Sequence, residues 1–191
     1  MSDALPPRAV LDSDVIFSRV LYELFGRAAA TAGLLTLLWS DELLAEAKRA
    51  LIERKALTGA VADRWVGYLS QSFPDGRVEI AARPAGLELS GMTTDPGDEH
   101  VCALAVAGRA DLLITFDRGY LNEPLRARGV HVMEPDDFLT AGFEEHPGTL
   151  QQILDEQTSS WGGGRPLPEL LDALERARAR RFVALVRASL R

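Results

Sequence analysis

The sequence predicts an α/β fold, with a central parallel sheet wrapped by helices and a helical C-terminal extension. Short apolar runs at Arg8-Ala9-Val10-Leu11, Leu34 to Trp39, Leu112-Leu113-Ile114-Thr115-Phe116 and Val130 to Met133 alternate with segments of helical spacing, the pattern of a parallel sheet with crossover helices. Two of these runs end directly on an aspartate, Asp12 and Asp117. After Phe143 the strand-like runs stop and only helical patterning remains. These observations divide the chain into an α/β domain over 8–143 and a helical extension over 144–191.

Each element has its own signal. Ile16, Val20, Leu21, Leu24 and Ala28 recur at helical spacing and predict a helix from Val15 to Ala30. Leu34 to Trp39, bounded by Gly33 and Ser40, reads as a buried parallel strand. Ser40 is a natural N-cap for a helix to about Lys55 that turns Leu43, Leu44, Ala47 and Leu51 inward. Thr58 caps another helix, with Val61, Trp65, Val66 and Leu69, which ends before Pro74; Val78 to Ala81 reads as a strand. Asp95-Pro96-Gly97 marks a loop, and Asp98 opens a helix to about Gly108. A short helix near Leu121 to Arg128 and a helix begun by Pro135 complete the domain. Beyond it, Thr149 to Gln157 and Leu167 to Leu190 read as helices separated by Trp161-Gly162-Gly163-Gly164-Arg165-Pro166, whose triple glycine is a hinge. No Lys-Ser/Thr pair follows those glycines, which argues against a phosphate loop. The last helix carries an apolar stripe, including Leu170, Leu171, Leu174, Phe182, Leu185 and Val186, that something must cover.

Composition narrows the function. With 191 residues, 47% hydrophobic and 26% charged, the chain can bury a core without staples. A single cysteine, Cys102, excludes a disulfide framework and a thiolate zinc site. No apolar run approaches the roughly 20 residues that span a bilayer, and the N-terminal segment has no apolar signal region, so a cytoplasmic protein without membrane contact is expected. The net charge of −7 lacks the broad positive field that retains duplex DNA. The charge is uneven: residues 165–191 hold seven arginines against three acids. That tail reads as a solvated helix face, with phosphate contact or partner docking as the alternative.

The acids carry the chemistry. Ligand sites in open parallel sheets lie outside the carboxyl ends of the strands, near the topological switch. Asp12 and Asp117 stand at such ends, and Asp14 lies where the chain turns into its first helix. Asp98 begins a helix whose inward face holds Val101 and Ala105, and Glu46 sits on the margin of an apolar helix face. Each has an ordinary alternative: Asp12 as a helix cap, Asp98 as part of a helix-start capping arrangement, Glu46 as a solvated helix acid, Asp117 as a turn residue. Together at one sheet end they would repel strongly unless a cation neutralised them, and carboxylate oxygens favour hard ions such as Mg²⁺ or Mn²⁺. His100, His131 and His146 have no ligand spacing and read as surface or satisfied core residues, and Cys102 as a small hydrophobe.

The segments VLDSDVIFS, SDELLAEAKRAL, DPGDEHVCALAVAGRADLLITFDRGYL and GVHVMEPDDFL, in this order over roughly residues 8–142, resemble the PIN-domain nucleases, and more narrowly the toxins of VapC-type toxin–antitoxin pairs. The resemblance implies a PIN-like three-layer α/β/α fold with a central parallel sheet. Asp12, Glu46, Asp98 and Asp117 match the family's acidic quartet, and Thr115 matches the hydroxyl residue before the last aspartate. Two positions depart from the family: Asp14 stands where it usually has Asn, adding a further ligand directly or through water, and Gly119 stands where it often has another acid.

The resemblance implies a metal-dependent endoribonuclease that hydrolyses RNA phosphodiesters. Asp12, Asp98 and Asp117 would hold one Mg²⁺, with Mn²⁺ able to substitute. A second ion would sit roughly 3.5–4 Å away. Glu46 would bind through water or orient the nucleophile. Arg118, Lys48 and Arg49 are candidates for guiding the strand at the rim. A small antitoxin and a homodimer are implied partners. The remaining readings are a PIN nuclease of RNA maturation without an antitoxin and a PIN-like scaffold that binds RNA or protein without cutting. Asp12-x-Asp14 also resembles haloacid-dehalogenase phosphotransferases, but the downstream lysine they need is missing, since Lys48 and Lys55 both lie early.

Overall fold

The computed structural model describes residues 5–80, 89, 91–160, 164 and 166–190. Strand β1 spans Arg8–Leu11 and is followed by helix α1, Ser13–Phe17, and helix α2, Arg19–Ala30. The single helix expected from Val15 to Ala30 is therefore divided at Ser18, whose backbone is extended (φ −83°, ψ 99°). The cause lies at the C-terminal end of α1. Trp65 Nε1–H donates to the Ile16 carbonyl at 2.9 Å and Lys55 Nζ to the Phe17 carbonyl at 2.6 Å. The Lys55 ammonium also stands 4.3 Å from the Phe17 ring centroid and 4.8 Å from that of Trp65. A helix of five residues cannot hold itself together, so these outside donors terminate and fix it.

Strand β2 is Thr36–Leu38 and helix α3 is Asp41–Lys55. Ser40 caps α3 by accepting from Leu43 N–H at 3.3 Å, Asp41 and Glu42 sit in the first turn, and Arg54 and Lys55 sit in the last. Helix α4, Gly59–Ser72, is capped by Thr58 as the sequence implies. Of the strand expected from Val78 to Ala81, Ala81 lies outside the described residues, and 78–80 form no strand. Among the described residues of this segment, the chain touches the sheet at the Trp39–Arg77 bridge, with Val78 N–H donating to the Trp39 carbonyl at 2.8 Å. A 3-10 turn over Pro96–Asp98 leads into α5, Glu99–Ala107; β3 is Leu112–Ile114, α6 is Asn122–Arg126 and β4 is His131–Met133. Helices α7 (Pro135–Glu145), α8 (Pro147–Ser160), α9 (Leu167–Arg176) and α10 (Arg180–Ser189) follow. The hinge expected between α8 and α9 lies largely outside the described residues, since only Gly164 and Pro166 of it are described.

The chain divides into two compact units, Met1–Phe17 with Leu35–Met133, and Ser18–Leu34 with Glu134–Arg191. The boundary expected at 143/144 falls inside the second unit, within the last turn of α7.

The first unit holds a four-stranded, all-parallel sheet of order β2-β1-β3-β4 flanked by helices. Ala9, Val10 and Leu11 lie opposite Leu112, Leu113 and Ile114, and Val10 lies opposite Leu38. Strand order reverses between β1 and β3, so their carboxyl ends are neighbours at the topological switch. Val10, Leu37, Leu113 and Ile114 are fully buried, together with Leu43, Ala47 and Leu51 of α3 and Val101, Leu104 and Ala105 of α5. This apolar floor holds the strand ends in place.

The second unit is helical. Its core includes Leu21, Leu24 and Phe25 of α2, Leu139 and Phe143 of α7, Leu150 and Leu154 of α8, and the stripe Leu170, Leu171, Leu174, Phe182, Val183 and Val186. Phe25 and Phe138 meet with their rings tilted at 40° and 5.4 Å between centroids, and Phe143 meets Phe182 edge-on at 5.9 Å. The stripe of the C-terminal helices is thus covered by α2, α7 and α8. The continuous helix expected from Leu167 to Leu190 is broken at Ala177-Arg178-Ala179, where Arg178 takes a left-handed φ of 71°. The break is stabilised by Asp136, whose carboxylate accepts from Arg181 N–H at 3.0 Å and Phe182 N–H at 2.9 Å at the start of α10. Several tail arginines are paired: Arg187 with Asp172 and Glu175, Arg181 with Asp137. Asp136→Ala is expected to remove this cap and destabilise the helical unit by about 1–2 kcal/mol, read as an earlier loss of helical signal in urea. A midpoint unchanged from wild type contradicts that role.

Candidate functional site

All the acids singled out from sequence lie in the first unit, around the carboxyl ends of β1 and β3. Asp12 follows β1 directly, and its backbone N–H donates to the Ile114 carbonyl at 3.0 Å, which ties the two strand ends together. Its side chain is only 4% exposed. Oδ1 accepts from Ser13 N–H at 2.6 Å and Oδ2 from the Thr115 hydroxyl at 2.7 Å. The same Thr115 oxygen accepts from Asp117 N–H at 2.9 Å, so one hydroxyl orders both strand-end aspartates. Asp12 also starts α1, since its carbonyl accepts from Val15 and Ile16 N–H, both at 3.0 Å. The backbone of Asp12 thus begins the helix while its carboxylate faces the site.

Asp14 reaches across from α1 to β3: its Oδ2 accepts from Phe116 N–H at 2.9 Å, and its buried Oδ1 has no hydrogen-bond partner. Burial pushes this carboxyl up to about 7, and the charges of Asp12 and Asp117 push the same way. Near neutrality it is therefore only partly charged. Asp117, exposed on the rim, accepts from Gly119 N–H on Oδ1 at 2.6 Å. A Cβ at residue 119 would lie 3.0 Å from both Asp117 Oδ1 and Thr94 Oγ1, so the glycine permits this close turn, and a side chain there would push these two side-chain oxygens aside.

Asp98 is placed by the segment before α5. Thr94 N–H donates to the Gly119 carbonyl at 2.9 Å and Leu121 N–H to the Met92 carbonyl at 2.7 Å, which pins this loop beside the turn after β3. Asp95 caps the 3-10 turn through Gly97 N–H at 2.8 Å, so the capping role belongs to Asp95 and leaves the Asp98 side chain free for the site. Asp98 Oδ2 is buried and has no hydrogen-bond partner. Burial raises this carboxyl to about 6, with the charges of Asp12, Asp117, Asp95 and Glu46 adding to it. Asp12 is raised too, chiefly by burial and against the hydrogen bonds it accepts from Thr115 and Ser13.

Glu46 behaves differently. From the margin of α3 its Oε1 accepts from the Ser13 hydroxyl at 2.7 Å, and its Oε2 lies 2.9 Å from His100 Nε2. Burial pushes Glu46 up, but the contacts with His100 and Ser13 outweigh it and hold the group below the ordinary glutamate range. His100 was expected to be a surface or satisfied core residue; it stands inside the site, with Nδ1 2.7 Å from the Gly97 carbonyl. His131 and His146 are exposed, as expected. Ser13, His100 and Tyr120, which is 4% exposed against the acids, are the site residues that spacing did not reveal. A histidine two residues after a helix-opening aspartate is a usable signal only once Glu46 is known to face it. Cys102 is fully buried and its thiol is pushed up to about 12 by burial, which makes it the inert hydrophobe expected.

Of the rim cations, Lys48 is turned to Asp63, with Nζ 2.5 Å from Oδ1, and so is engaged between α3 and α4. Arg49 lines a surface hollow with Glu42, Glu46, Asp95, Asp98 and His100, and Arg118 is exposed directly after Asp117.

The carboxylates of Asp12, Asp14, Asp98, Asp117 and Glu46 are thus near enough to act on one another electrostatically. Among the described residues, no three His, Cys, Asp or Glu side chains stand close enough to hold a metal ion as placed. The fit to a divalent cation is one of donor chemistry. The groups are carboxylate oxygens, the donor type that hard divalent cations take, and three of them (Asp14 Oδ1, Asp98 Oδ2 and Glu46 Oε2) are buried without a hydrogen-bond partner.

Partly buried acids gathered where two parallel strands part define an α/β protein with a polar site at its topological switch. The chain belongs to the PIN-domain family, whose sequence pattern matches residues 8–119. PIN domains are generally nucleases that use divalent metals. No significant match is found among curated proteins or among solved structures. No helix of the described residues is long and apolar enough to cross a membrane.

The raised Asp14 carboxyl has a thermodynamic consequence. A group that holds its proton more tightly when folded stabilises the fold below its ordinary pKa of 3.8, and that contribution is lost as the pH rises through about 7. Asp14→Asn keeps an acceptor for Phe116 N–H and carries no charge. In chelator it is expected to melt several degrees above wild type at about pH 8, with the gap closing towards about pH 4. A gap that is constant with pH contradicts the assignment.

Proposed function

We propose that this protein is a divalent-metal-dependent endoribonuclease that hydrolyses RNA phosphodiesters, acting as the toxin of a toxin–antitoxin pair. One observation carries the metal-dependent reading: the buried, partnerless oxygens of Asp14 and Asp98 lie beside Asp12 and Asp117 at the ends of adjacent strands. Oxygen donors that raise one another's pKa form a site whose charged state needs a cation. The choice of RNA and the toxin role rest on the resemblance of the four acid-bearing segments to VapC-type toxins.

Asp12, Asp98, Asp117 and Asp14 would hold Mg²⁺ or Mn²⁺, which supplies a Lewis acid that polarises the phosphoryl oxygen and acidifies water. The chain's own residues do the positioning. Thr115 orients Asp12 and Asp117 through a single hydroxyl, and Ser13 with His100 holds Glu46 at the edge of the acids. Arg49, in the hollow lined by Glu46 and Asp98, and exposed Arg118, next to Asp117, would receive phosphates beside an acidic centre that repels RNA when metal-free. A small antitoxin with a cationic segment is the partner such a pocket fits, and a homodimer and a cytoplasmic location belong to the same reading.

Purified protein with Mn²⁺ or Mg²⁺ is expected to cleave single-stranded RNA, with cleavage abolished by chelator and restored by added metal. Asp12→Asn and Asp117→Asn are expected to lower the rate by at least about 100-fold while the far-UV circular dichroism stays that of wild type. Full cleavage by either variant, freed of host nucleases, overturns the mechanism.

A further inference from the structure

Tyr120 carries a buried hydroxyl with nothing to bond. The residue is 4% exposed, and its Oη, shut off from water, has no hydrogen-bond partner among the described residues. A buried tyrosine ordinarily finds a partner for its O–H, and an unmet donor costs stability that a phenylalanine of the same shape would avoid. The hydroxyl stands at the acids: the Asp12 and Asp98 carboxylates are the charges that bear on it, Asp12 most strongly.

The backbone holds the ring in that place. Tyr120 forms an antiparallel bridge with Thr93. On either side of it, Thr94 N–H donates to the Gly119 carbonyl at 2.9 Å and Leu121 N–H to the Met92 carbonyl at 2.7 Å. The residue thus joins the turn after Asp117 to the loop before Asp98, and its hydroxyl meets the acid at the end of β1. Asp12 can take another donor. Oδ1 accepts one bond, from Ser13 N–H, and Oδ2 one, from the Thr115 hydroxyl, while each carboxylate oxygen can accept two. Carboxylates that ligate metal ions are themselves held by hydrogen bonds from surrounding donors, and those to a charged acceptor are the strong ones.

We propose that Tyr120 is a positioning residue of the metal-loaded site: with a divalent cation bound, its hydroxyl donates to the Asp12 carboxylate and locks that ligand to the segments that carry Asp98 and Asp117. This deepens the metal-dependent reading and rests on it. The unmet hydroxyl of the metal-free protein is the donor held ready for the loaded state.

The test is Tyr120→Phe in the full chain, which removes the hydroxyl and keeps the ring. In chelator the variant is expected to melt within about 2 °C of wild type, because no hydrogen bond is lost. Its Mn²⁺ affinity by calorimetry is expected to fall about 10-fold, the scale on which outer donors tune metal sites. A spectroscopic signature accompanies the loss. Mn²⁺ added to wild type shifts the tyrosine near-ultraviolet band to the red as the phenol becomes a donor to a carboxylate. Tyr120→Phe, which keeps Tyr22 and Tyr68, shows no such shift. A tyrosine that serves only the fold gives a different pattern: a melt in chelator several degrees lower, or failure to fold. That pattern overturns the proposal, as does an affinity in Tyr120→Phe within about twofold of wild type, or a wild-type tyrosine band that does not move when Mn²⁺ binds. Absence of Mn²⁺ binding by folded wild type overturns the metal-dependent reading itself, and with it this one.

Discussion

The Thr115 hydroxyl is the junction on which the site depends. It donates to Asp12 at the end of β1 and accepts from the backbone of Asp117 after β3, so two acids more than 100 positions apart share one oxygen. That bridge needs the strand ends to lie side by side, which the register of Leu11 opposite Ile114 and the bond from Asp12 N–H to the Ile114 carbonyl provide. The register in turn rests on fully buried Val10, Leu113 and Ile114, because a slip by one residue would turn an apolar side chain into the acidic pocket.

Gathering acids in this way works against the metal-free fold. Burial and mutual charge raise Asp12, Asp14 and Asp98, so the unit carries strained electrostatics at the point where its sheet divides. The structure offsets this with fixed donors: Ser13 and Thr115 to Asp12, Phe116 to Asp14, Gly119 to Asp117. Glu46 is the exception: burial raises it too, but its contacts with His100 and Ser13 outweigh that and lower it. Its lowered pKa beside the raised values of the aspartates makes it chemically distinct from them.

Much of this was legible in the sequence because parallel strands announce themselves. Short apolar runs ending in Asp12 and Asp117 located both strand ends, and the capping residues Ser40 and Thr58 placed α3 and α4. The misses have a common cause in contacts distant along the chain. Periodicity carried the first helix through Ser18, because nothing local shows that Trp65 and Lys55 occupy the carbonyls of Ile16 and Phe17. It carried the last helix through Arg178, because the Asp136 cap comes from a helix about forty residues earlier. His100 was misjudged for the same reason, since its partner Glu46 lies on another helix. The second unit, which joins 18–34 to 134–191, draws on segments separated by a whole α/β layer of sequence, and no local pattern marks such a boundary.

The central claim is that these strand-end acids take up a divalent cation. Anomalous diffraction from crystals grown with Mn²⁺ tests it most directly. The account predicts a manganese peak bonded to Asp98 Oδ2 and Asp14 Oδ1, with Asp12 and Asp117 completing the oxygen shell. A peak held by Glu46 in place of these aspartates, or no peak among the five acids at saturating Mn²⁺, contradicts it.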